Sequence, residues 1–212
     1  MNVNIIAEIK KEIENFDFQS SHDYYHLLRV YNNVTMLCTE EKLSEDVSVI
    51  CKLGALLHDI GRKKVSYASR NEHEQESVNI AKKLLTKYDL SQEEISSVLE
   101  CIVNHRVSKQ IKSSSIAIQI LQDADRLDAL GAIAIARTFS YDSTRPIHLP
   151  EEPPKEEYDG ISLSSINHII EKILKLTPET FNTLVAQRIA RGRLAYVQEF
   201  VDEFLKEWKG EK

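Results

Sequence analysis

No proline occurs before Pro146, and all five prolines lie between Pro146 and Pro178 inclusive. The strongest helix breaker is therefore missing from most of the chain. Cysteine is scarce: Cys38, Cys51 and Cys101 are odd in number, widely spaced and set among apolar residues. With no C-x-x-C pair among them, a disulfide framework is excluded, and they read as reduced core residues of a cytoplasmic protein. Apolar runs stop far short of a bilayer span, and Met1-Asn2-Val3-Asn4 carries neither a basic region nor a hydrophobic one. A soluble, unprocessed chain with no membrane partner is expected.

Positive charge is also in deficit. A net charge of -6 and a pI near 5.7 argue against a broad electrostatic grip on nucleic acid. The basic stripes Arg106, Lys109, Lys112 and Arg188, Arg191, Arg193 therefore read as solvated helix faces. There is no glycine-rich loop to cradle phosphate. Ser113-Ser114-Ser115 lacks the glycines of a nucleophile elbow, and reads as a helix cap.

What is present is helical periodicity from end to end. Ile5, Ile6, Ile9, Ile13 and Phe16 make one apolar stripe, and Tyr25, Leu28, Val30, Val34 and Leu37 a second. Asn71 with Glu74 and Ser91 with Glu94 have capping-box spacing, and Thr177 before Pro178 is an N-cap followed by proline at the first helical position. The run 116–136, rich in Ile, Ala and Leu, is expected to be a buried central helix. With no convincing period-2 stretch, the fold class is all-α, a helical bundle. Length and composition give one domain over 1–212, with a loop excursion about 140–160, where prolines and acids cluster, and C-terminal helices about 161–208. Tyr196, Phe200, Phe204 and Trp208 recur every four residues; as core they stabilise the bundle, and if exposed they would mark a homodimer contact.

The chemistry centres on Leu56-Leu57-His58-Asp59-Ile60-Gly61-Arg62. Neighbouring helical residues point about 100° apart, so His58 and Asp59 reach one point only if it lies off a helix end. A metal ion meets that condition. His26 lies on the second amphipathic segment, and Asp123, Asp125 and Asp128 lie in the apolar run 116–136. Buried carboxylates need a cation or a base as partner, and Arg126 and Arg137 are the alternative to a metal. Two imidazoles and two carboxylates, His26, His58, Asp59 and Asp125, form a mixed N/O set. That set suits Mn²⁺, Fe²⁺ or Mg²⁺ better than a closed structural zinc site.

In this order, His26, His58-Asp59 and Asp125 resemble the H…HD…D signature of the HD-domain superfamily of metal-dependent phosphohydrolases. The contexts H-D-Y-Y-H-L-L-R-V, L-L-H-D-I-G and Q-D-A-D-R-L-D-A-L-G-A-I-A-I-A-R-T, with the segment 168–176, are similar to its YpgQ/YedJ-like stand-alone hydrolases. That resemblance implies an HD-type bundle holding one divalent ion through His26, His58, Asp59 and Asp125, with Mn²⁺ favoured and Fe²⁺, Ni²⁺ and Mg²⁺ as alternatives. It implies nucleoside triphosphate pyrophosphohydrolase-like hydrolysis of a small-molecule nucleotide. His58 and Asp59 are then the catalytic pair, and a metal-bound water the nucleophile. Asp125 is preferred to Asp123 as the last ligand because the A-D-R-L context carries it in related hydrolases.

Arg62 and Lys63 are expected to steady phosphate charge. His73, His105 and Asp123 are further substrate-binding candidates. His73 and His105 also sit where two-metal HD phosphodiesterases carry extra ligands, but Asn104-His105-Arg106 stands here in place of a histidine pair, which argues against a second ion. The rival functions are a phosphodiesterase on cyclic nucleotides or nucleic-acid ends, and a non-catalytic nucleotide-sensing module.

Overall fold

The computed structural model describes residues 4–16, 18, 23–62, 73–106 and 113–211. Among them there is helix and no strand. The helices are α1 (Asn4–Ile13), α2 (Tyr24–Glu40), α3 (Glu45–Leu57), α4 (His73–Leu85), α5 (Gln92–Asn104), α6 (Ile116–Asp128), α7 (Gly131–Tyr141), α8 (Ser165–His168) and α9 (Leu184–Trp208). A π-turn (Ile169–Ile173) continues α8, and a short 3₁₀ turn (Pro178–Thr180) precedes α9. The chain forms two compact units, 1–125 and 126–212. Among the described residues no helix is long and apolar enough to cross a membrane.

In the first unit α3 is the hub, packed against α1, α2 and α5. Its Leu53, Ala55, Leu56 and Leu57 are fully buried, and the α1 stripe Ile5, Ile6, Ile9 and Ile13 belongs to the same apolar cluster. Burying one such side chain contributes about 1.5–3 kcal/mol. On α2 the buried stripe is Leu27, Val30, Val34 and Leu37, while Tyr25 is exposed. Registering the stripe on Leu27 instead of Tyr25 turns His26 inward. Ser44 and Ser91 cap α3 and α5, the latter in a complete capping box with Glu94. Two buried amides hold α6: Asn33 donates to Ala124 O at 3.0 Å, and Gln122 donates to Asn104 O at 2.7 Å. All three cysteines are buried and free.

The expected single helix over 116–136 is two helices. Leu130 is extended and Gly131 has a φ of 77°, a backbone state that glycine adopts at little cost. In the second unit, oxygens of buried residues at this break are met by bases. Arg193 donates to Leu127 O, and Arg137 donates to Asp128 Oδ2 at 2.7 Å. The Asp128–Arg137 pair is the salt-bridge alternative anticipated above. Arg126 donates to Thr180 O and Oγ1 and lies 4.3 Å over the Phe181 ring.

Thr177 starts only the 3₁₀ turn, without a side-chain cap; the long helix α9 is capped by Thr183, which accepts from Ala186 N. Of the aromatic stripe, Phe204 stacks on Trp208, whereas Tyr196 and Trp208 are exposed. The segment between α7 and α8 is irregular, as the proline cluster requires. It is tied down by the buried Glu171, which accepts from Lys155 N at 2.9 Å and from Ser162 Oγ.

His168 ends α8 with its ring edge-on to Tyr158 at 5.6 Å. Burial, with Lys172 and Arg145 nearby, lowers its pKa to about 4, against which Glu171 acts weakly. An unfolded histidine titrates near 6.5, so between about pH 6.5 and 4 the unfolded chain binds a proton that the native chain refuses. Stability is therefore full above pH 6.5 and falls as pH drops toward 4. Part of the loss of stability between pH 7 and 5, at most about 2 kcal/mol for this group, is expected to vanish in His168→Gln. Urea unfolding at the two pH values checks this; an unchanged difference would remove His168 from the account.

Candidate metal centre

The centre lies wholly within the first unit, where five helix ends meet. Asp23 caps α2, accepting from His26 N at 2.8 Å. His26 follows in the first turn, buried. His58 is the C-cap of α3, and Asp59 is the next residue, off the helix end as the adjacent pair requires. His105 is likewise the C-cap of α5, and His73 is the first residue of α4. Asp125 sits in the last turn of α6, partly exposed at 28%.

The two C-cap histidines are oriented alike. Nδ1 of His58 lies 2.8 Å from Ala55 O, and Nδ1 of His105 lies 2.7 Å from Ile102 O. A carbonyl only accepts, so each Nδ1 carries the hydrogen and each Nε2 presents a lone pair to the interior. Burial holds both rings below the usual histidine pKa, His105 at about 4, so both are neutral at pH 7. For Asp125 burial acts upward, but the imidazoles of His58, His26 and His105 outweigh it and hold the carboxyl low, ionised at neutral pH.

The nitrogens and oxygens converge. Nε2 of His26 and Nε2 of His58 each lie 3.8 Å from Asp59 Oδ2, and 3.5 and 3.9 Å from Asp125 Oδ1. Ligands bound at about 2.0–2.2 Å around one ion stand roughly 3–4 Å apart, so the spacing fits a single cation. Nε2 of His58 is buried and has no hydrogen-bond donor among the described residues. A lone pair so placed in a dry interior is costly unless something electrophilic meets it.

Asp59 faces both ways. Its Oδ1 is 3.1 Å from His73 Nε2 and 3.7 Å from His105 Nε2. The donor atoms thus fall into two sets, His26, His58 and Asp125 on one side and Asp59, His73 and His105 on the other, each within 4.8 Å. Of the other expected site residues, Arg62 donates through Nε to Asp59 Oδ2 at 2.8 Å. Asp123 is fully buried on α6 and belongs to neither set. Lys63, together with Lys64, His22, Asn71, Lys109 and Lys112, lies outside the described residues.

One buried residue was not anticipated as part of the centre. The Asn71 half of the expected capping box lies outside the described residues; the Glu74 carboxylate lies 3.6 Å from His73 Nδ1 and 3.3 Å from Arg106 Nη1. The available signal was a carboxylate directly beside a histidine.

The HD-domain family profile matches residues 23–130, half of the chain. The chain belongs to the HD family. It is accordingly a metal-dependent phosphohydrolase, of a family whose members bind divalent metals, and the residues that converge here are the type such an ion takes. Beyond the profile, the chain is similar over nearly its whole length to an uncharacterised Bacillus subtilis protein, YpgQ, at 27% identity, covering 92% of this chain and 88% of YpgQ. A Bacillus thuringiensis HD-superfamily hydrolase of known structure is 32% identical with a TM-score of 0.76, covering 97% of both chains. The structure of YpgQ in complex with ADP superposes with a TM-score of 0.70 at 24% identity, covering 95% of this chain and 97% of that one, a likeness of fold.

Proposed function

We propose that this HD protein, acting as one domain over 1–212 in the cytoplasm, hydrolyses a phosphoanhydride of a nucleotide, in the manner of a nucleoside triphosphate pyrophosphohydrolase. One divalent ion, Mn²⁺ by preference, is held by His26, His58, Asp59 and Asp125. The observation that carries this is the approach of two imidazole nitrogens and two carboxylate oxygens to a common point. A divalent ion held there supplies a water of lowered pKa and neutralises charge on a phosphate oxygen.

The protein's own contribution is placement. His58 is kept neutral by burial and its Nε2 is aimed inward by the Ala55 carbonyl. Asp59 is held by Arg62 on one oxygen and faced by His73 and His105 on the other. The guanidinium of Arg62, partly exposed beside Asp59, is placed to steady phosphate charge, and Lys63 follows it in the chain. The nucleotide is supported by the ADP complex of YpgQ, a relative over nearly the whole chain.

The test is a panel of nucleoside triphosphates, cyclic nucleotides and nucleic-acid ends with Mn²⁺, Fe²⁺, Ni²⁺ or Mg²⁺, followed by product identification. Monophosphate with pyrophosphate is the expected product pair, and EDTA is expected to abolish turnover. An opened ring would give the phosphodiesterase instead, and a metal-free, inactive protein the sensing module.

The two-sided Asp59 favours a second reading of metal content, in which His73, His105 and Asp59 Oδ1 take another cation. Metal analysis after Mn²⁺ saturation separates the cases, at one or two ions per chain.

A further inference from the structure

The imidazoles facing Asp59 Oδ1 are not oriented by the same means. His105 ends a helix, where the carbonyl three residues back is within reach of its Nδ1. His73 begins a helix, and the three residues before it lie outside the described ones. Glu74 is the carboxylate beside it, almost fully buried at 3% exposure, with Oε2 at 3.6 Å from His73 Nδ1. That separation is a few tenths beyond a formed hydrogen bond, within ion-pair range, and such contacts tighten when a site is occupied.

The far oxygen, Oε1, is 3.3 Å from Arg106 Nη1, and Arg106 directly follows His105. The contacts therefore run in a line from Arg106 through Glu74 and His73 to Asp59 Oδ1. They join the start of α4 to the end of α5 at the two residues that face the same oxygen. Burial of a carboxylate is costly without a return, and here the base that compensates it is itself attached to the centre.

We propose that Glu74 is a positioning residue of the cation centre: its carboxylate holds the His73 ring by Nδ1, and His73 Nε2 in turn fixes the Oδ1 side of Asp59. This rests on the reading that Asp59 belongs to a cation site, but assigns a role to a residue outside any ligand set. Partners that orient the far side of a metal-site histidine typically change metal affinity by about 10–100-fold when removed.

Mn²⁺ affinity of the full chain, measured by titration for wild type, Glu74→Gln, His73→Gln and the double variant, tests it. Glu74→Gln is expected to weaken Mn²⁺ binding about 10-fold or more. The double variant is expected to be no weaker than His73→Gln alone, because Glu74 acts through His73. A merely structural role would lower the urea midpoint and leave affinity in place. Unchanged affinity in folded Glu74→Gln overturns the proposal, as does an additive double variant. Should Glu74→Gln fail to fold, Glu74→Asp keeps the charge but draws it away from His73, and full affinity there is equally fatal. If wild type itself binds no Mn²⁺, the cation site fails and the role of Glu74 fails with it, a result distinct from either variant outcome.

Discussion

Asp59→Ala is expected to lower kcat/KM for the best nucleotide by about 10³-fold or more, equivalent to roughly 4 kcal/mol of transition-state stabilisation. The size follows from position. Asp59 faces both donor sets, with His26 and His58 at 3.8 Å on Oδ2 and His73 at 3.1 Å on Oδ1. Losing it removes a negative charge from each set at once. Retained metal in this variant would be loosely held and misplaced, and a small misplacement alone is costly. Stability should move in the other direction or not at all, because the alanine variant no longer buries a carboxylate and frees Arg62 to solvent. Steady-state kinetics with metal analysis and urea unfolding on the same preparation read both effects. More than a tenth of wild-type activity in a folded Asp59→Ala protein would refute the proposed centre.

Gly61→Ala is expected to be the most damaging small substitution in the first unit, costing about 3 kcal/mol or more of stability. A Cβ built at Gly61 falls 2.4 Å from Ser77 N and 2.7 Å from Glu76 C. Both atoms are backbone of α4, so no side-chain rotation relieves the clash and the helix must move. The Gly61 amide also donates to Ser77 Oγ at 3.0 Å, a buried bond that the displacement would stretch. Because α4 begins with His73 and Glu74, Mn²⁺ affinity should fall together with the urea midpoint. Full stability in Gly61→Ala would mean that the turn and α4 approach less closely than described. The glycine of L-L-H-D-I-G thus has a steric reason: the turn after the His-Asp pair runs against another backbone.

Much of this was legible in the residues. Adjacent His58 and Asp59 implied a focus off a helix end, and the structure places His58 at a C-cap with Asp59 beyond it. Periodicity gave the α1 stripe and the capping box of α5 because both are local signals. The break at Leu130 and Gly131 was hidden because Ile, Ala and Leu continue through it, and one glycine is tolerated in many helices. The start of the α2 stripe was ambiguous, since Tyr25, Leu27 and Leu28 are all apolar and only packing decides among them. His73 and His105 were seen only as candidates. Their approach to Asp59 Oδ1 depends on α4 and α5 lying side by side, a long-range fact. Glu74 was legible only by its spacing from Asn71, because the approach of Arg106 to its carboxylate is a long-range contact that local spacing does not carry.

The matched C-caps of α3 and α5 make this centre unusually dependent on helix length. Each ring is aimed by the carbonyl three positions upstream, so its direction is set by where the spiral stops and by nothing downstream. One residue more or fewer in either helix would swing its imidazole by about 100° while leaving every donor in place. In such a design the count of residues ahead of a histidine is as much a part of the chemistry as the histidine.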